Sequence, residues 1–211
     1  MQITARMSKT YMWRLALFAG IFLAYASWSA YDGFVAYPKI NLIANYFEEY
    51  KLQHADWRDS WPVYAKANGY PALPDQAKGA FSMYAQYVQL GITLPIGLAA
   101  LFAYIRGYKR FVGADEKGLV TDAGQRAEFA DIVGLNKDRW KTKGIAVVSY
   151  KADGIERKLV LDDWKYDREP TMQLLRLVES HLRDEQVTGD IKESAKDAAA
   201  AQTAEQVESQ T

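Results

Sequence analysis

Two long apolar stretches interrupt an otherwise charged chain. From Phe81 to Ile105 the residues are nearly all aliphatic, aromatic or small, and Arg106, Lys109 and Arg110 follow at once. Tyr87–Ile105 is the most apolar part, and the run predicts a membrane helix that ends in a basic flank. Met12 to Tyr31 predicts a second such helix, with Arg6 and Lys9 ahead of it and Arg14 able to snorkel toward the same surface. Tyr11 and Trp13 at one end, and Trp28 and Tyr31 at the other, fall where amphipathic rings favour the headgroup layer. Ala16, Gly20 and Ala24 recur every four residues and form a small-residue face for helix packing. A second reading of this start stands beside the first. A basic beginning, an apolar run and Ala24-Tyr25-Ala26 also fit a secretory signal, whose removal leaves the orientation of the later span unchanged.

Between the two runs, residues 32–80 carry acidic and basic side chains in nearly equal number, whereas both flanks are purely basic. The positive-inside rule therefore puts residues 1–11 and the chain after residue 105 in the cytoplasm and the connection outside. Pro38 is suited to open a helix, and Ile40, Ile43, Ala44, Phe47 and Tyr50 or Lys51 share one face up to an end expected before Trp57. Asn68-Gly69-Tyr70-Pro71 and Leu73-Pro74 then break regular structure. Tyr46, Tyr50, Trp57, Trp61 and Tyr64 make the connection rich in rings. They serve either a cap packed on itself and on the headgroup layer or a docking surface for another membrane subunit. In the later span, Gln86 and Gln89 are expected to face the first helix, and Pro95 to kink it.

After residue 106 the period changes to short β-type runs at Phe111–Ala114, Leu119–Thr121, Glu128–Leu135, Ile145–Tyr150 and Lys158–Leu161. Glu116-Lys117-Gly118, Asp122-Ala123-Gly124 and Ala152-Asp153-Gly154 supply tight turns, and short turns imply antiparallel pairing. An amphipathic helix starts near Glu169-Pro170, with Met172, Leu175, Val178 and Leu182 on its apolar stripe, widened by Leu174 and Leu177. The fold class is α+β. Two transmembrane helices (12–31 and 81–105) with a helical extracytoplasmic connection precede a small antiparallel β domain over 106–182, closed by one C-terminal helix.

The segments Glu128–Ile132, Arg139-Trp140 to Lys143-Gly144, Lys158–Trp164 and the closing helix Thr171–Leu182 resemble the bacterial pleckstrin-homology-like (PH-like) domain often found beside membrane spans. The resemblance implies a β domain held at the cytoplasmic face of a bacterial inner membrane, making protein contacts or self-associating. Eukaryotic relatives bind inositol phosphates through Lys and Arg of the first strand pair. The corresponding turn here carries Asp115, Glu116 and Lys117, an acidic departure. A fold of this kind does not fix an activity.

Local charge adds one candidate surface. Lys137, Arg139, Lys141 and Lys143 alternate, and if extended they share a face that could meet anionic lipid, at about 1 kcal/mol per basic residue near the membrane. The bland alternative is a solvated hairpin. Globally, 26 Lys+Arg balance 26 Asp+Glu in 211 residues, so no excess of charge points to nucleic acid. The absence of Cys excludes disulfides, thiolate catalysis and Cys-ligated metal. His54 with Asp56 and Asp59 has the wrong spacing for ligands on one helical face, and Asp162 with Asp163 reads as a strand-end turn. His181 reads as a helix-end polar residue. No phosphate loop, dinucleotide fingerprint or hydrolase elbow is present. Nothing points to an enzyme, a metal or a cofactor. Residues 183–211, rich in Glu, Asp, Gln and Ala, read as a disordered acidic tail.

The expected function is a membrane-anchored interaction or scaffold protein. The alternative is an accessory subunit of a larger membrane complex. The expected partners are the lipid bilayer and either other membrane subunits or a second copy of the chain.

Overall fold

The first element is a strand that no hydropathy pattern announced. In the computed structural model, which describes residues 3–208, β1 (Ile3–Arg6) pairs antiparallel with β2 (Phe111–Ala114), placing Ile3 opposite Ala114 and Arg6 opposite Phe111. All of the helical chain from Lys9 to Gly107 lies between these two paired strands. The chain divides into two units: one made of the stretches up to Leu15 and from Ala103 onward, the other Ala16–Phe102. The first is thus a β domain sewn together from both sides of an insertion.

In that domain β2 continues to β3 (Gly118–Thr121) and β4 (Arg126–Glu128), giving a four-stranded sheet in the order β1-β2-β3-β4. A second sheet contains β5 (Ile132–Arg139), β6 (Ile145–Ala152) and β7 (Ile155–Asp162) as an antiparallel meander. The single strand expected over Glu128–Leu135 is split by a 3-10 turn at Phe129–Asp131, whose Phe129 ring stacks on His181 at 4.0 Å. Between β6 and β7, Asp153 and Gly154 both adopt positive φ, as a tight hairpin of right-handed twist requires. Helix α6 (Arg168–Ser180) closes the domain. Leu174, Leu175 and Val178 from α6 join Ala5, Leu119 and Ala127 of the first sheet and Leu135, Val148 and Leu161 of the second in one buried core. Ala5 is fully buried, so the N-terminal strand is part of that core.

The turn after β7 is held tightly. Asp162 accepts the amides of Trp164 and Lys165 at 3.2 and 3.1 Å, the strand-end role expected for it. Gly144, at φ 64°, closes the short helix α5 (Trp140–Lys143), and a Cβ there would run into the Asp163 carboxyl. Asp163 itself is shifted above the usual carboxylate range, chiefly by burial. The same turn is stapled to the N-terminal segment. Ser8 donates its amide to the Lys165 carbonyl and Asp167 donates to Arg6, each at 2.8 Å.

Up to Glu208 the region expected to be a disordered tail is instead built onto the domain, and residues 209–211 of that tail lie outside the described residues. After a 3-10 turn at Asp184–Gln186, strand β8 (Val187–Thr188) adds parallel to the edge of β5, and helix α7 (Glu193–Glu208) follows. Its apolar content is low, and ionic hydrogen bonds do the docking.

In the inserted unit, the chain is helical without a break from Lys9 to Gln53. Helix α1 (Lys9–Tyr31) passes through a π-turn (Asp32–Ala36) into α2 (Tyr37–Gln53). Pro38 stands in the first turn of α2, as expected, although the π-turn joins that helix to α1 without a gap. The proline has no amide to return to the Phe34 carbonyl, and the wide turn just before it absorbs that mismatch. Helix α3 (Trp57–Asn68) was not anticipated as a separate element. It ends at Gly69 in the left-handed conformation, where the break was expected. Helix α4 (Ala80–Gly107) returns antiparallel to α1, with Leu23 against Gly97 and Gly33 against Tyr87. A Cβ on Gly97 would lie 2.8 Å from Leu23 Cδ2, so glycine is what permits that approach. Among the described residues, α4 alone is long and apolar enough to cross a membrane. Helix α1 has the length but carries Lys9 and Arg14 in its first turns.

Candidate functional site

The four alternating cations do not form one surface. Arg139 ends β5, and Lys141 and Lys143 lie on the short helix α5. Lys137 is fully buried. Its ammonium donates to Glu179 Oε1 at 2.6 Å, to Glu193 Oε1 at 2.7 Å and to the Ile191 carbonyl at 2.7 Å. All three of its N–H donors are thereby used. The lipid-contact reading fails for this residue, because the C-terminal segment folds over the strand face that hydropathy alone leaves open.

The charge cluster extends outward. Glu193 donates its amide to Glu179 Oε2 at 2.8 Å, and Lys196 bonds both Glu193 Oε1 and the Asp190 carboxylate. Burial pushes the Glu193 carboxyl up, but hydrogen bonds from Lys137 and Lys196 outweigh it and hold the group below its usual range. Asp190 is lowered first by its hydrogen bond from Lys196. Burial would lower Lys196, yet Asp190 and Glu193 raise it above the ordinary lysine value.

A carboxyl with a depressed folded pKa stabilises the fold above its unfolded pKa and loses that stabilisation as pH falls through the folded value. A raised lysine contributes below its unfolded pKa and loses its effect as pH rises through the folded one. The docked C-terminal segment is therefore expected to hold from about pH 5 to about pH 10 and to loosen outside that window. Hydrogen exchange of the α7 amides, followed against pH in the full chain in detergent, checks this. Glu193→Gln is expected to weaken both limbs, because Glu193 is one of the two depressed carboxyls and one of the two groups that raise Lys196.

An open cleft of about 530 Å³ borders this segment, lined by Asp184, Asp190, Ile191 and Lys192 among others. Its carboxylates are engaged, Asp184 by Lys192 and Asp190 by Lys196.

In the helical insertion, the small-residue face is rotated from the one expected. Gly20 and Ala24 are exposed and Ala16 is half-buried, while Ala19, Ala26, Ser29 and Gly33 are buried. The amides of α4 do face the other helix. Ser29 donates to Gln89 at 3.4 Å, Gln86 donates to the Tyr37 hydroxyl at 3.2 Å, and the Tyr87 hydroxyl donates to the Gly33 carbonyl at 3.0 Å. The π-turn leaves that carbonyl available. The Thr93 hydroxyl bonds back to the Gln89 carbonyl.

Trp61 cannot be an outward anchor, since it is 1% exposed at the centre of the aromatic cap. Its ring lies 4.8 Å from Phe47, 5.3 Å from Tyr50 and 5.7 Å from Tyr64. Lys51 sits over Phe47 at 4.8 Å, and Trp57 packs edge-on against Phe47 at 5.5 Å. Tyr46 and Tyr64 keep exposed faces, and Tyr50 and Trp57 are half-buried. Trp61→Ala is expected to cost the cap about 3–5 kcal/mol. Trp61→Phe should keep most of that, because the indole N–H has no hydrogen-bond partner to lose. Hydrogen exchange across α2 and α3 reads the difference.

His54 stacks on Tyr50 at 3.9 Å, with Nδ1 3.1 Å from the Tyr50 carbonyl. Among the described residues, no group of His, Asp and Glu is arranged to hold a metal. In the acidic turn, Asp115 accepts the amides of Lys117 and Gly118 and pairs with Arg126 at 2.7 Å, so it braces the turn. The backbone hydrogen bond from Lys117, then the one from Arg126, lowers its pKa. No family model matches the chain, and no curated protein or solved structure matches it.

Proposed function

We propose that this chain is a membrane-anchored, non-enzymatic interaction protein. In this reading α1 and α4 form a hairpin across a bacterial inner membrane, with the aromatic cap outside and a PH-like domain at the cytoplasmic surface. The observation that carries it is the pairing of β1 with β2, which fits a hairpin whose preceding and following segments lie on the same side of the membrane. The apolar length of α4 and the basic residues at both flanks support the same arrangement. The PH-like element is supported by the succession of a four-stranded meander, a three-stranded meander and a closing helix.

A second reading, an accessory subunit of a larger membrane complex, is favoured by one observation. Gly20 and Ala24 stay exposed on α1 and leave a smooth strip for a further helix. Extraction in mild detergent followed by native mass measurement separates the two. The first reading predicts the chain alone or in copies of itself, and a stable assembly with unlike subunits would replace it with the second.

A further inference from the structure

The turn after β7 carries a large ring that stays more than half exposed. Trp164 is 55% exposed, although its backbone is fixed by Asp162 and by the staple between Ser8 and Lys165. Its ring packs against the first turns of α1. Tyr11 meets it edge-on at 5.4 Å, and the Arg14 guanidinium lies 5.1 Å above it. That level of α1 is also the level at which α4 ends. A Cβ on Gly107 would strike Met12, so the last turn of α4 passes beside the residues on which Trp164 is stacked. Tyr108, hydrogen-bonded to Tyr104 at 2.5 Å, and Trp13 are also exposed, at 67% and 66%.

Charge fits the same picture. Around Trp164, Asp162 is paired with Lys165 and Asp163 with Arg168. Arg14 makes no ion pair among the described residues, although it is exposed. An indole beside an unpaired guanidinium at the end of an apolar helix suits the phosphate and carbonyl layer of a bilayer, where Trp is enriched and Arg reaches phosphate. Resting on the membrane reading above, we propose that Trp164 and Arg14 form a wedge that seats the β domain in the phospholipid headgroup layer. The lipid-contacting surface is then this turn, rather than the strand of alternating lysines.

The chain has no Cys, so single labels can be placed cleanly. The full chain is reconstituted in mixed phosphatidylcholine and phosphatidylglycerol vesicles, with one fluorophore on Trp164→Cys, Lys165→Cys, Ile155→Cys or Leu98→Cys. Lys165→Cys keeps the tryptophan, and Ile155, in the β6–β7 hairpin, is 61% exposed. Nitroxide lipids bearing the quencher at headgroup depth or in the acyl chain are then added. The wedge predicts that labels at 164 and 165 are quenched from headgroup depth at least about threefold more than the label at 155. Equal, water-like quenching at all three, with Leu98→Cys still quenched from the acyl chains, overturns the wedge and leaves the membrane hairpin standing. Loss of quenching at 98 as well overturns the hairpin and the wedge together. A label at 164 shielded from water but unquenched by lipid assigns the turn to a protein partner and also overturns the wedge.

Discussion

Replacing Lys137 by methionine is expected to cost the β domain about 3–5 kcal/mol. The substitution leaves the carboxylates of Glu179 and Glu193 together in a buried site without the ammonium that both accept. It also orphans the Ile191 carbonyl, so the segment that carries β8 and Glu193 loses its anchor. The expected sign is fast hydrogen exchange across β8 and α7, with faster exchange along β5, whose edge β8 covers. Removing the whole charge set should behave differently. Lys137→Met combined with Glu179→Leu and Glu193→Leu is expected to recover most of the loss, since desolvating three charges already offsets much of their attraction. A single Lys137→Met chain as stable as the parent would mean that the C-terminal segment is not docked in this way.

Ala5→Asp is expected to be nearly as damaging. Residue 5 lies opposite Val112 with no exposed surface, and an aspartate there would bury a carboxylate without a partner, at a cost of about 3–5 kcal/mol. The adjacent Thr4 points outward, and Thr4→Asp should stay within about 0.5 kcal/mol. Urea unfolding of the full chain in detergent, read through the β-domain amides, compares the two. The contrast also addresses the two readings of the N-terminus. If residues through Ala26 were removed as a signal, neither substitution would alter the mature protein.

The parts legible in the sequence share a dense local signal. The α4 run, the Gly-marked turns at Gly124 and Gly154 and the apolar stripe of α6 each declare themselves within a few residues, whereas Gly118 begins β3 without the positive φ of a glycine turn. β1 does not. Its four residues are too short for a reliable period, and their meaning comes from a strand beyond the whole helical insertion. Lys137 misled for a related reason. Alternation along β5 correctly separates two faces, but which face is covered is decided by a distant segment of low apolar content. The small residues of α1 show the same limit, because Ala16, Gly20 and Ala24 and the buried Ala19 and Ala26 are equally helical spacings. Only the partner helix selects between them. The aromatic cap was legible as a cluster, whereas the burial of Trp61 at its centre required the position of α3.

In the proposed arrangement a membrane hairpin is inserted between two paired strands of one β domain. Cysteine labelling across a sealed membrane tests it most directly. Leu73→Cys and Ile155→Cys, both at exposed positions, are made singly in the Cys-free chain, and intact cells stripped of their outer layers are treated with a membrane-impermeant maleimide. Position 73 is expected to be labelled from outside, while position 155 is labelled only after the membrane is opened. Labelling of both positions from the same side would contradict that arrangement.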